Sequence, residues 1–381
     1  MERRTTAVTL LALLLAEPLF MANAATETAS CTRPPTDHSR VIGALTCNSS
    51  MCHGGASPAR YQYSIWSHSD LHSRAYASLV TAYGQNMAKA IGSDDATKDA
   101  RCTTCHAPLA YPGADLASTA DVTEGVTCES CHNGAGSWLR SHTRLDYSYQ
   151  DRVRAGMKDM RDTFVRADTC VRCHQSLDAK IIEAGHPALT FELDGQAASE
   201  PRHWKEKSNW FGAKAWLVGQ LVALNSVTDC VGQATGKYHD ALVMQQDALS
   251  WLVARVPDVK LDDAAQGNLK LWSNQEAHSI SDESWSEDRT QQAFAALAGT
   301  ADAFRDSKVS ADLQRARAER LVLGLDRLFK ATHPQHDDAM PAGAAELTAL
   351  FDQVREGAAF NAMNFANALD KFAGVAGVKK A

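Results

Sequence analysis

The strongest constraint on this chain is a repeated five-residue pattern. Cys102-Thr103-Thr104-Cys105-His106, Cys128-Glu129-Ser130-Cys131-His132 and Cys170-Val171-Arg172-Cys173-His174 each read Cys-x-x-Cys-His. A fourth stretch, Cys47-Asn48-Ser49-Ser50-Met51-Cys52-His53, ends the same way but has four residues between its cysteines. Two thiols so spaced add to the two vinyl groups of one haem, and the histidine that follows is held beneath the iron as proximal ligand. A zinc ribbon or a thioredoxin-like redox pair also uses Cys-x-x-Cys, but neither requires the histidine. Histidine occupies 14 of 381 positions, so four such placements by chance come to on the order of 2 in a million. The expectation is four covalently attached haem c groups, held by Cys47 and Cys52, Cys102 and Cys105, Cys128 and Cys131, and Cys170 and Cys173. His53, His106, His132 and His174 are the expected proximal iron ligands. The wider first motif leaves open a Cys31 to Cys47 disulfide with one haem held by Cys52 alone.

Nine of the ten cysteines precede residue 174, so the chemistry is concentrated in the first half. The two left over, Cys31 and Cys230, either pair as a disulfide or leave Cys230 as a buried thiol on a helix. Arg3 and Arg4, the apolar run Ala7 to Leu15 and the small residues Ala22-Asn23-Ala24 read as a signal peptide cleaved after Ala24, leaving 381 − 24 = 357 residues. No second apolar stretch is long enough to span a bilayer, so the expected location is the periplasm, with no transmembrane segment in the mature chain. A net charge of -7 carries no basic excess and argues against a nucleic-acid partner.

Ten histidines remain once the proximal four are assigned. A second imidazole on an iron gives a six-coordinate haem suited to electron transfer, whereas an empty position admits a small ligand. Local context favours three distal candidates. His72 lies near the start of a predicted helix capped by Ser69, with Leu71, Ala75, Leu79, Tyr83, Met87 and Ala90 at helical spacing. His142 follows the His132 motif by ten residues, after Trp138 and Leu139. His186 sits between Gly185 and Pro187, which fix a turn able to present its ring. His68 is an alternative to His72, and His38 and His203 are held in reserve. His239, His278, His333 and His336 belong to the second half, where His333 and His336 could chelate a metal but read better as part of an interhelical loop.

These motifs, with Trp66, Asp70, His72-Ser73-Arg74-Ala75-Tyr76, Gly125-Val126-Thr127 before Cys128, Trp138-Leu139, His142, Gly185-His186-Pro187 and Phe191-Glu192-Leu193, resemble the cytochrome c-554 family of tetrahaem cytochromes. The resemblance runs over roughly residues 47 to 195. It implies a periplasmic electron carrier, mostly helical around four closely packed haems; founding members of the family serve hydroxylamine oxidation in nitrifiers. It also implies three distal histidines and one open iron: His142 on the haem of His53, His72 on that of His132, His186 on that of His174, and the haem of His106 five-coordinate. The four-residue gap between Cys47 and Cys52 departs from the regular attachment pattern.

From about residue 204 the chain becomes amphipathic. Ser208 precedes Trp210, Phe211, Trp216, Leu217, Leu221 and Leu224; further stripes run through Tyr238 to Val253, Phe294 to Phe304, Leu313 to Leu328 after Ser310, and Leu347 to Phe372. Four to five helices with short connections predict an antiparallel bundle. The expected fold is mainly α, with a signal peptide over 1–24, a tetrahaem domain with little regular β over 25–203 and the bundle over 204–381. Four haems in roughly 180 residues favour relay over a single buried catalytic cofactor. The expected function is electron transfer between a donor and an acceptor protein. The rival is an enzyme acting on nitric oxide, hydroxylamine or peroxide at an open haem, and a third reading is a complex subunit docked through its helical half.

Overall fold

The computed structural model describes residues 39–111, 113–206, 210–333, 340–355 and 359–378. The expected signal peptide, Cys31, His38, Ser208 and His336 lie outside them. The fold is mainly α, and the described residues contain no sheet, only an isolated parallel bridge between Val41 and Leu116. Helices α1 (Gln62–Ser69), α2 (Ala75–Leu79), α3 (Ala82–Ala90), α4 (Ala100–His106), α5 (Cys128–His132) and α6 (Tyr149–Arg154) are short. They are followed by α7 (Thr163–His174), α8 (Ala179–Glu183) and α9 (Leu193–Ser199). The rest of the chain forms α10 (Phe211–Val231), α11 (Gly236–Val253), α12 (Asp263–Gly267), α13 (Leu269–Asp282), α14 (Glu287–Ala298), α15 (Ala311–Thr332), α16 (Ala344–Val354) and α17 (Ala362–Val375). None of the described helices is long and apolar enough to cross a membrane.

Short helices gain little from propagation, so the first half depends on side-chain caps to satisfy their free amides. Asp99 accepts from Arg101 N at the start of α4, Ser148 and Asp151 form a capping box on α6, and Asp162 accepts from Phe164 N on α7. Ser69 does not cap the segment carrying His72. It ends α1, and Asp70 accepts from His72 N at 2.9 Å to start a turn of 3-10 helix instead. A carboxylate at this position both caps and carries charge, which a serine cannot.

Apolar burial is concentrated in the second half. One core joins α10, α11 and α13 to α17, and Ala167, Val171, Phe191 and Leu193 belong to it, so the helix bearing the last attachment motif packs on the bundle. Among the described residues before 163 the corresponding cluster of buried side chains is Leu79, Ala88 and Ala96. Seven bundle helices of eleven residues or more form among the described residues, where periodicity predicts four to five. The additional elements are α13, which buries Ser273, Ala277 and Ile280 and so shows no leucine stripe, and the division of the last stripe into α16 and α17. Gly324 brings α15 against α10: a Cβ there would lie 2.8 Å from Cζ2 of the fully buried Trp216.

The two halves meet at Phe191 and Glu192. Phe191 is fully buried, its N–H donates to Gln175 Oε1 at 3.1 Å, and its carbonyl accepts from Arg320 Nη1 of α15 at 3.1 Å. Glu192 caps α9, accepting from Asp194 N at 2.9 Å, with Arg327 Nε of α15 at 4.0 Å. Burial, and then the neighbouring Asp194, push the Glu192 carboxyl up to about 7 from its ordinary value of 4.5. Between these two values the folded chain keeps a proton that the unfolded chain releases, so this group's contribution to stability falls as pH rises from 4.5 to 7 and is level above. Urea denaturation should therefore give a larger loss of stability between pH 5 and pH 8 in the unaltered protein than in Glu192→Gln, which keeps an acceptor but cannot ionise. Equal losses in the two proteins contradict this assignment.

Candidate haem sites

Helix geometry explains how the three regular motifs present their groups. Cysteines three residues apart share a helix face, and a histidine four residues after the first cysteine lies on the same face one turn on. The motifs accordingly form the end of α4, the whole of α5 and the last turn of α7. Cys52 follows Cys47 by five positions, a spacing that a helix would splay apart. The chain makes a loop there instead, in which His53 N donates to Cys47 O at 3.1 Å and Cys52 N to Ser49 O at 2.8 Å. His53 is thereby returned to the first cysteine.

Each attachment-motif histidine faces a second histidine from elsewhere in the chain. Ring centroids are 6.2 Å apart for His53 and His142, 6.3 Å for His106 and His186, 6.4 Å for His132 and His203, and 6.0 Å for His174 and His72. The partner of His53 is the one the family resemblance implies. The other partners differ: His72 faces His174 and not His132, His186 faces His106 and not His174, and His203 of the reserve set faces His132.

Local structure accounts for these placements. The Tyr83 hydroxyl of α3 donates to Gly185 O and draws the His186 turn toward α4. Gly185 adopts φ +108°, a conformation open to glycine, and a Cβ there would lie 3.3 Å from the same hydroxyl. His203 sits edge-on to Trp204, whose indole N–H donates to Glu206, and Glu206 also receives Arg166 Nη1 of α7 at 2.6 Å. The last attachment helix thus orients the partner of the third. No local turn or helix signal marks His203 in the sequence; only the shortage of distal partners for four proximal histidines points to it. His142 lies edge-on to Trp138, and its Nδ1 is 2.6 Å from Leu139 O. Among the other histidines, His68 Nδ1 lies 3.0 Å from Ser64 O, His278 stacks on Phe164 and His333 on Phe329.

All eight paired rings line one connected cavity of about 1980 Å³. That is about twice the upper end of ordinary ligand pockets, which run from roughly 300 to 1,000 Å³. Burial pulls His106, His142, His174 and His203 below the ordinary imidazole range, and His132 down to about 4, so these rings are neutral and able to ligate near pH 7. His72 is shifted the other way by its contact with the Asp70 carboxylate. Nδ1 of His203 is buried with no hydrogen-bond partner, an orphan that suits a ring meant for a group the protein itself does not supply. The chamber, the ring pairs and this orphan fit haem. Burial pushes the Cys131 thiol up to about 12, and contact with Cys47 together with burial raises that of Cys128, which ill suits a reactive redox pair at this motif. Among the described residues the one cluster with three converging metal-ligand side chains is Asp70, His72 and Glu200, so no zinc ribbon forms.

Attachment motifs, a helical fold and a chamber lined by paired imidazoles define the class: a c-type cytochrome, which binds haem covalently and works in electron transfer. Residues 46–133 match the family model described as cytochrome c554 and c-prime. The match spans the first three attachment motifs; the fourth, at Cys170–His174, lies beyond it. No curated protein and no solved structure matches the chain.

Glu129, inside the third motif, organises the start of the described chain. It is buried, and its carboxylate accepts from Ile42 N at 2.9 Å, Gly43 N at 2.8 Å and Ala135 N at 2.7 Å. Replacing one of these acceptor oxygens by an amide NH2 in Glu129→Gln leaves backbone donors without an acceptor, a cost of about 1.5–3 kcal/mol for hydrogen bonds to a charged group. Trypsin should then cut after Arg40 much faster in the variant than in the unaltered protein. Unchanged cleavage contradicts this role for Glu129.

Proposed function

We propose that the chain is a periplasmic tetrahaem c-type cytochrome that carries electrons between a donor and an acceptor protein, with all four irons six-coordinate. In this reading Cys47 and Cys52, Cys102 and Cys105, Cys128 and Cys131, and Cys170 and Cys173 hold the four haems. His53, His106, His132 and His174 are the proximal ligands, and His142, His186, His203 and His72 complete their respective irons. The observation that carries it is the regularity of the four ring pairs, between 6.0 and 6.4 Å. Two imidazoles ligating one metal from opposite sides, with metal–nitrogen bonds of about 2 Å as for zinc, place their centroids about 6 Å apart.

Each haem supplies reversible one-electron storage at its iron. The protein's part is to fix the axial rings, exclude other ligands and keep the attachment points adjacent. Cys47 lies against Cys128 and Cys105 against Cys173, so the first motif adjoins the third and the second adjoins the fourth. Proximity of this kind favours relay. An enzyme acting on nitric oxide, hydroxylamine or peroxide needs a free coordination position, and the pairing of His106 with His186 occupies the one that the family resemblance leaves open.

Replacing a distal histidine tests the reading in the haem-loaded protein. In His203→Ala the thioether links and His132 remain, so haem content should stay at four while one iron turns high-spin and binds nitric oxide. The unaltered protein should bind none. A fully low-spin His203→Ala protein contradicts ligation by His203, and nitric oxide binding by the unaltered protein contradicts the six-coordinate reading as a whole.

A further inference from the structure

The paired histidines differ in what holds their second ring nitrogen. Nδ1 of His53 lies 3.1 Å from Gln62 Oε1, that of His142 2.6 Å from Leu139 O, and that of His186 2.9 Å from Pro187 O. Nδ1 of His106 lies 3.0 Å from Ala75 O and 2.8 Å from Ser78 Oγ. All of these partners are neutral. Nδ1 of His72 instead lies 3.1 Å from Asp70 Oδ1. Asp70 is 5% exposed, and the same oxygen also accepts from His72 N, so the carboxylate is fixed and poorly screened. Glu200 stands within 4.8 Å of both, although Arg166 and Arg202 partly balance its charge. The charged groups acting on two of the other rings are cations, Lys158 on His132 and Arg152 on His142.

We propose that Asp70 is a positioning residue that makes the iron between His72 and His174 the most reducing of the four. The inference rests on the ligation proposed above. A carboxylate that accepts the Nδ1 proton of a ligating imidazole raises the basicity of the ring, and a stronger donor favours ferric over ferrous iron. The buried negative charge acts in the same direction, because it stabilises the iron state of higher positive charge. A carbonyl or amide oxygen orients a ring equally well but brings no net charge. The His72 ring thus differs from those of His53, His106, His142 and His186 in having a carboxylate on its second nitrogen, while the four sites share one ligand set.

Two isosteric substitutions test this in opposite directions, read by spectroelectrochemical titration of the haem-loaded protein. Asp70→Asn keeps an oxygen for His72 N and removes the charge. The lowest of the four midpoints should rise by the equivalent of at least a tenfold loss of preference for ferric iron, about 59 mV for a one-electron couple. A smaller rise should follow at the iron of His203, which the Asp70 charge also reaches. Gln62→Glu puts the same carboxylate against His53 and should lower one higher midpoint by a similar amount. Four low-spin irons with the lowest midpoint unmoved in Asp70→Asn, or with no midpoint lowered in Gln62→Glu, overturn the inference alone. A protein in which His72 is not an iron ligand, seen as no loss of low-spin iron in His72→Ala, overturns it together with the ligation reading.

Discussion

Two imidazole rings held about 6 Å apart, one fixed to an attachment motif and the other brought from a distant segment, form the constraint on which the rest of this fold depends. The arrangement occurs four times around one chamber. On the proposed ligation, each instance would need two backbone segments positioned to a fraction of an ångström, because a metal–nitrogen bond tolerates little error. The short helices, capping carboxylates and glycine turns of the first half serve that requirement. Gly185 under Tyr83, Asp70 at His72 and Arg166 with Glu206 beside His203 each support one ring of a pair.

A chamber of this size leaves its walls little apolar core of their own. Before residue 163 the apolar cluster of the described residues is three side chains, whereas the bundle buries Trp216, Phe304, Phe365, Phe372 and a long leucine series. The bundle is anchored to the chamber through α7, which carries the last attachment motif, and through the Phe191 to Leu193 segment gripped by Arg320 and Arg327. A rigid helical scaffold beside the chamber lets the paired rings keep their orientation without support from a conventional core. The exposed Leu45, Met51, Leu71, Val80 and Tyr83 all belong to the first half.

The Cys-x-x-Cys-His motifs stand out in the sequence because their spacing is a local pattern, and the helices of the second half were legible because leucine and aromatic stripes repeat at the helical period. His72, His142 and His186 were marked by local context as well. Which ring faces which was not, since it depends on how α3 meets the turn after α8 and how α7 holds the segment around Trp204. His203 has no local signature, and its place beside His132 arises from Arg166 and Glu206, 40 residues apart. Asp70 lay within a recognised stretch, but its proximity to a ring nitrogen only the fold reveals. Helix α13 escaped notice because it buries serine and alanine where a stripe would show leucine.

The central claim is that every attachment-motif histidine shares its iron with a second histidine. Quantitative EPR of the ferric haem-loaded protein, with total haem measured on the same sample, tests it most directly. The account predicts four low-spin irons per chain and no high-spin signal, because each iron has two imidazoles. A high-spin signal approaching one iron per chain, above all one assigned to the His106 site, would contradict it.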